Sequence, residues 1–286
     1  MKTLKETIQA MRAQLVPEYG RGEANAMIRL IFHHIKGWDA SDLVIHEADE
    51  VAESVHASIE KILAKLADHE PIQYILGETY FYGLRLHVEP GVLIPRPETE
   101  EMVDMIVKRY GAREDLVVLD IGTGSGAIAI ALSRNLPFSK VTAIDKSEKA
   151  LAVARKNAVD LKAKINFIHE DVMAYSPQPA SFDLIVSNPP YVDESEKKDM
   201  DRNVLDYEPA EALFVPDSDP LVYYRRIADV ARRGLRPGGS LWLEINPRHA
   251  AELSSLLLAD GFADVELIKD VHGSERFCSC MRPSTD

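Results

Sequence analysis

Two rhythms of apolar residues divide the chain. Over the first seventy residues they recur every three or four positions, as Leu4, Ile8, Met11 and Leu15 and again as Val51, Val55, Ile59, Ile62, Leu63 and Leu66. That spacing stacks side chains on one helix face, and Thr3 with Glu6 has the form of a capping box at the first helix start. From residue 96 onward, short apolar runs alternate with helical stretches. The runs centre on 117–120, 141–145, 165–168, 184–187, 240–245, 265–268 and 277–281. Alternation of this kind predicts an α/β domain, a doubly wound sheet with helices on both faces. The last two runs, joined around His272-Gly273-Ser274, read as an antiparallel addition at the sheet edge.

Between the two rhythms, Tyr80-Phe81-Tyr82-Gly83 and the alternating Leu84-Arg85-Leu86-His87-Val88 predict a β-hairpin. Its aromatic cluster is better suited to packing than to stacking on bases. Pro97 suits the first turn of a helix. A helix from Leu221 to Leu235 meets a stop signal at Arg236-Pro237-Gly238-Gly239. The expected organisation is a helical domain over residues 1–70, a hairpin linker over 71–95 and a sheet domain over 96–286.

At 286 residues and 46% hydrophobic, the chain has room for one large core and one small one. No apolar run approaches the roughly 20 residues that span a bilayer. The first residues, Met1-Lys2-Thr3-Leu4-Lys5-Glu6, lack the apolar stretch of a secretory signal, so a cytoplasmic location is expected. A net charge of −13 gives no global attraction to nucleic-acid phosphates. Arg225, Arg226, Arg232, Arg233 and Arg236 form a local basic set, read as the solvated side of one helix. Cys278 and Cys280 lie two apart in a strand, too close for a comfortable disulfide and without histidine partners for zinc. They read as reduced packing residues. His33 and His34 project in different directions around a helix and form no metal site.

The chemistry begins where the first sheet run ends. Asp120-Ile121 leads into Gly122-Thr123-Gly124-Ser125-Gly126 and then into an apolar helix. Glycines there allow positive φ and let backbone approach a ligand closely. The next run ends in Asp145, placed to accept hydrogen bonds from both ribose hydroxyls of an adenosine-containing cofactor. A dinucleotide site normally reads G-x-G-x-x-G with a pyrophosphate on the helix N-terminus. Here the spacing is G-x-G-x-G, and Asp120 would repel a phosphate while facing a cationic amino-acid group. S-adenosylmethionine has that group, carries no phosphate and contains adenosine. Asp171 and Val172, after the third run, are in register to line the adenine pocket.

The fourth run ends in Asn188-Pro189-Pro190-Tyr191. Both prolines fix φ and remove N–H donors, and Pro189 disfavours the helical conformation at Asn188. What remains is a stiff, extended turn offering carbonyl oxygens and one side-chain amide. Such a turn suits a planar –NH2 group, whose two hydrogens need two acceptors.

Together these residues resemble the PrmC/HemK family, the protein-(glutamine-N5) methyltransferases of peptide chain release factors. The more specific match is Gly83-Leu84-Arg85-Leu86-His87-Val88 followed by Val92-Leu93-Ile94-Pro95-Arg96-Pro97-Glu98-Thr99-Glu100, because the glycine loop and N-P-P-Y also occur in DNA and RNA amino-methyltransferases. The resemblance implies a Rossmann-like seven-stranded S-adenosylmethionine-dependent methyltransferase sheet, with a small helical domain that grips a protein substrate. It implies a cofactor site of Asp120, Gly122, Thr123, Gly124, Ser125, Gly126, Asp145, Asp171, Val172 and Asn188. It places catalysis on Asn188, Pro189, Pro190 and Tyr191, with Tyr191 closing the pocket against the substrate, and calls for no metal. The implied partner is a release factor, methylated on the glutamine of its Gly-Gly-Gln motif. The chain departs from the family pattern at 214–219, where a glycine pair is usual, and at Asn246-Pro247, where a glycine is common. Three alternatives stand beside this reading: a ribosomal-protein glutamine methyltransferase, a DNA adenine-N6 methyltransferase and a non-enzymatic binding protein.

Overall fold

A computed structural model describes residues 2–284, which divide into two compact units, one ending at Gly77 and the other beginning at Glu78. The first is helical: α1 (Leu4–Lys36), α2 (Ala40–Ile45), α3 (Glu53–Ala67) and α4 (Ile72–Leu76). The expected capping box opens α1, with the Thr3 N–H donating to Glu6 Oε2 at 2.9 Å and the Glu6 N–H to Thr3 Oγ1 at 3.2 Å. Gly20, at φ 73°, breaks α1 into two helical stretches. Leu4, Met11, Leu15 and Phe32 bury against Val55, Ile59 and Leu66, as the spacing predicts, while Val51 joins this core from outside α3. Residues 72–76, expected within the hairpin linker, form α4 instead. Ile72, Ile75 and Leu76 complete the helical core, and Gly77, at φ 72°, ends α4 in a left-handed cap.

The second unit opens with the hairpin β1 (Glu78–Phe81) and β2 (Leu84–His87). Phe81 and Leu86 are fully buried in the core beneath the large sheet, and Tyr82 donates its hydroxyl to Asp104 at 3.2 Å. The aromatic cluster therefore packs. The helix α5 (Pro97–Tyr110) follows, with Pro97 in its first turn. Alternation then gives β3 (Val117–Ile121), α6 (Ala127–Asn135), β4 (Lys140–Asp145), α7 (Glu148–Asp160), β5 (Ile165–His169) and β6 (Phe182–Ser187). A short parallel pair, β7 (Val192–Asp193) and β8 (Phe214–Val215), frames an irregular segment carrying α8 (Arg202–Tyr207). The chain closes with α9 (Val222–Gly234), β9 (Leu235–Glu244), α10 (Ala250–Ala259), β10 (Ala263–Lys269) and β11 (Glu275–Met281).

The sheet order is β10-β11-β9-β6-β3-β4-β5, parallel except for β11, which runs antiparallel to both its neighbours. One apolar layer, with Met102, Ile106, Ile130 and Leu132, covers one sheet face. A second, with Tyr224, Ile227, Leu253 and Leu257, covers the other. Cys278 and Cys280 are free and buried in β11, and burial pushes the Cys278 thiol up to about 12. The chain winds outward from β3 to β5 and then returns to place β6 on the other side of β3. Loops leaving the carboxyl ends of β3, β4, β5 and β6 meet at that reversal, where open α/β sheets bind ligands.

Candidate active site

A cavity lies at this reversal, within the second unit. The glycine loop forms one wall. The Ile144 carbonyl accepts the N–H groups of Gly122 and Thr123 at 2.9 and 3.1 Å, tying the loop to the neighbouring strand. Gly122 and Gly124 have φ of 73° and 56°, with no atom within 4 Å of where a Cβ would stand. Their missing side chains leave space for a ligand. Gly126, expected in the same site, does not line the cavity: a Cβ there would meet Ala154 and Ile130 at 3.1 Å, so this glycine permits α6 to pack on α7.

Asp145 lines the cavity and accepts from the Gly124 N–H at 2.8 Å and the Ser147 N–H at 2.8 Å. Burial raises its carboxyl above the usual range against those two donors. Asp171 and Val172 also line the cavity, and Asp171 accepts from the Met173 N–H at 2.8 Å. Asp120 does not. It sits fully buried beneath the loop, where its Oδ2 accepts from Thr123 Oγ1 at 2.7 Å and from the Ala129 N–H at 3.2 Å. Its Oδ1 is buried with no partner among the described residues. Desolvation, with a smaller push from Asp145, raises Asp120 to about 7.

Asn188, Pro189 and Pro190 line the facing wall. The Asn188 amide donates through Nδ2 to Thr99 Oγ1 at 3.2 Å, and Thr99 donates in turn to the buried Glu244 at 2.6 Å. Tyr191 departs from expectation: its ring packs behind the wall, and its hydroxyl donates to the other Glu244 oxygen at 2.9 Å. A tyrosine with a largely buried hydroxyl needs such a partner, and the nearest carboxylate lies behind the turn, not across the cavity. Burial, with Glu244 beside it, drives the phenol far above its ordinary value.

Nothing in the sequence marks Glu244, within the 240–245 run, or Thr99, within the stretch from Val92 to Glu100, for a role. No local spacing pairs them; they are 145 positions apart. Arg96 also finds its partner at long range, bonding Glu208 at 2.6 Å while the Ile94 N–H donates to the other Glu208 oxygen at 3.1 Å. Asn246, at the second departure from the family pattern, donates to the Tyr191 carbonyl at 3.0 Å and to Glu196 at 2.8 Å. A glycine there has no side chain to make either bond.

The matches to known proteins agree with this arrangement. Residues 95–208 match the Methyltransferase small domain, and residues 6–77 match the PrmC N-terminal domain. A release factor glutamine methyltransferase of Bacteroides thetaiotaomicron is 47% identical over 95% of this chain and 98% of its own length. Another, from Flavobacterium psychrophilum, is 49% identical over 76% of this chain and 77% of its own. The chain belongs to the release factor glutamine methyltransferase family. A methyltransferase from Pyrococcus furiosus shares the fold, with a TM-score of 0.52 over 81% of this chain and all of that one at 19% identity.

As a member of that family the protein is an S-adenosylmethionine-dependent methyltransferase. Its own residues fit the cofactor. The open ground above Gly122 and Gly124 accepts a close ligand, and Asp145 presents a carboxylate suited to a ribose diol, while Asp120 supports the loop from beneath without reaching the cavity. Asp171 and Val172 would border the adenine. When bound, the cofactor supplies a methyl group on a sulfonium, which leaves as a neutral thioether.

Proposed function

We propose that the protein methylates the side-chain N5 of the glutamine in the Gly-Gly-Gln motif of peptide chain release factors. The observation that carries this reading is the orientation of Asn188. Its Nδ2 donates to Thr99 Oγ1, and Asn188 and Pro189 both line the cavity, so we assign Asn188 Oδ1 and the Pro189 carbonyl as the two acceptors for the substrate. Two acceptors on a stiff turn match the two hydrogens of a primary amide.

An amide nitrogen is a poor nucleophile because its lone pair is delocalised into its carbonyl. Holding both N–H groups aims that nitrogen, and alignment of this kind contributes roughly 7–11 kcal/mol in favourable cases. The Asn188 and Pro189 oxygens also face the positive charge that develops on nitrogen as it is alkylated. The proton then lost is acidic, so the turn needs no dedicated base.

The names of the relatives support the release factor as partner. The local basic set gives little support to a duplex DNA substrate, because its arginines are paired: Arg225 with Asp219, Arg226, Arg232 and Arg233 with Asp229, and Arg236 with Asp183. No helix among the described residues is long and apolar enough to cross a membrane. A release-factor substrate places the enzyme in the cytoplasm.

The test is transfer of labelled methyl from S-adenosylmethionine to a release factor, to the same factor with its Gly-Gly-Gln glutamine changed to alanine, and to duplex DNA. Label on the first alone supports the reading, and label on DNA replaces it. We assign the helical unit to gripping the protein substrate. Deleting residues 1–70 should cut methylation of the full factor far more than cofactor binding, and equal loss of both would argue against that assignment.

A further inference from the structure

We propose that Glu244 is a positioning residue that sets which way round Asn188 presents its amide, acting through Thr99. This rests on the reading of Asn188 as holder of a substrate –NH2. Glu244 is 1% exposed and ends β9, the neighbour of the strand that carries the Asn-Pro-Pro turn. Its two oxygens accept from Thr99 at 2.6 Å and from Tyr191 at 2.9 Å.

Donor direction links the three side chains. An ionised carboxylate only accepts, so Thr99 must spend its single O–H on Glu244. Thr99 is then left with lone pairs alone on the side of Asn188, and only the Asn188 nitrogen can satisfy them. The Asn188 oxygen is thereby turned to the cavity, where an amide substrate needs an acceptor. A neutral group at 244 that donates to Thr99 reverses the relay. The Thr99 O–H then faces Asn188, the carboxamide flips, and Nδ2 meets the substrate's own N–H groups. The observed orientation, with Nδ2 at 3.2 Å from Thr99, is the one an accepting Glu244 dictates.

The surroundings set how firmly that state is held. Burial raises the Glu244 carboxyl, and Glu98 on α5 pushes the same way. Thr99, Tyr191 and Arg276 on β11 oppose this, while the Tyr224 hydroxyl on α9 donates to the Glu244 backbone carbonyl at 3.2 Å. A buried carboxylate on an otherwise apolar strand end costs stability, and the relay gives a reason for its presence.

Glu244→Gln keeps the shape and adds a donor, and it tests the inference in the full-length enzyme. The expected result is a fall in kcat of about 10²-fold, the scale of one misdirected transition-state dipole. KM for S-adenosylmethionine should change less than about twofold, and Tm should hold or rise. Thr99→Val should lose a similar factor, Thr99→Ser should restore most of it, and Glu244→Gln added to Thr99→Val should cost nothing further. In the free protein, the side-chain amide resonance of Asn188, assigned by its absence from Asn188→Asp, should shift in Glu244→Gln. Wild-type kcat should fall as pH drops through the raised Glu244 value, and the Glu244→Gln profile should be flat there. Full activity in Glu244→Gln, or an unmoved Asn188 resonance, overturns the proposal. A resonance that shifts in a protein unable to label release-factor glutamine would instead overturn the functional reading and leave the relay standing.

Discussion

The two walls of the cavity are built by different means. The glycine wall is made of backbone: Gly122 and Gly124 adopt positive φ, and loop N–H groups are held by the Ile144 carbonyl and the Asp145 carboxylate. The Asn-Pro-Pro wall has a backbone stiffened by prolines, but its working end is a side chain aimed by Thr99, Glu244 and Tyr191. A wall of backbone recognises a ligand by approach and shape. A wall of relayed side chains recognises it by the direction of donors and acceptors. The first should govern binding, and the second turnover.

That division can be broken by exchange of single groups. The largest effect is expected at Asn188→Ala, which removes the acceptor and leaves the glycine wall untouched. Its kcat should fall by about 10²–10³-fold with S-adenosylmethionine affinity within about threefold, read by single-turnover transfer and calorimetry. Near-wild-type turnover would refute the division. Gly124→Ala should act in the opposite sense. It places a methyl group in the cavity at φ 56°, where an L-residue costs roughly 1–2 kcal/mol, so cofactor affinity should weaken by about tenfold or more. The rate at saturating cofactor should change far less. A kcat loss matching that of Asn188→Ala would mean the walls do not act separately.

The smallest effect concerns Asp120 and the stability of the glycine wall. Burial raises its folded value to about 7, so the native state holds this proton more tightly than the unfolded chain. The stability it contributes is fully present below the unfolded carboxylate range near pH 4 and is lost as pH rises through about 7. Asp120→Asn has no such proton. The difference in Tm between the two proteins should move in favour of the variant as pH rises from about 5.5 to about 8, a shift of a few degrees by differential scanning calorimetry. A constant difference would mean Asp120 does not titrate in that window.

The glycine wall was legible because its signals are local. A strand ending in Asp120, glycines at fixed spacing and Asp145 on the next strand all lie within one β-α-β stretch, where covalent geometry and φ preferences restrict the outcome. All seven sheet strands were placed from their apolar runs, and Pro97 opened α5 as expected. Where the structure departs from local signals, a distant partner decides. Tyr191 was expected to face the substrate, and Glu244, 53 positions on, draws its hydroxyl the other way. Asp120 and Gly126 carry the expected residue types, yet Asp120 lies beneath the loop, bonded to Thr123 and Ala129, and Gly126 lies where α6 packs on α7.

The two rhythms, the strand ends around the cavity and the stiff Asn-Pro-Pro turn are set by local sequence alone. These follow from backbone dihedrals and from side-chain spacing along single elements, which neighbouring residues dictate. Only the tertiary structure decided that β11 inserts beside β9, that Arg96 meets Glu208, and that Glu244 and Thr99 stand behind Asn188. Those contacts join residues as far as 145 positions apart. A hydrogen bond fixes distance and direction but leaves no periodic trace along the chain, so its partner is known only once the sheet has brought the two together.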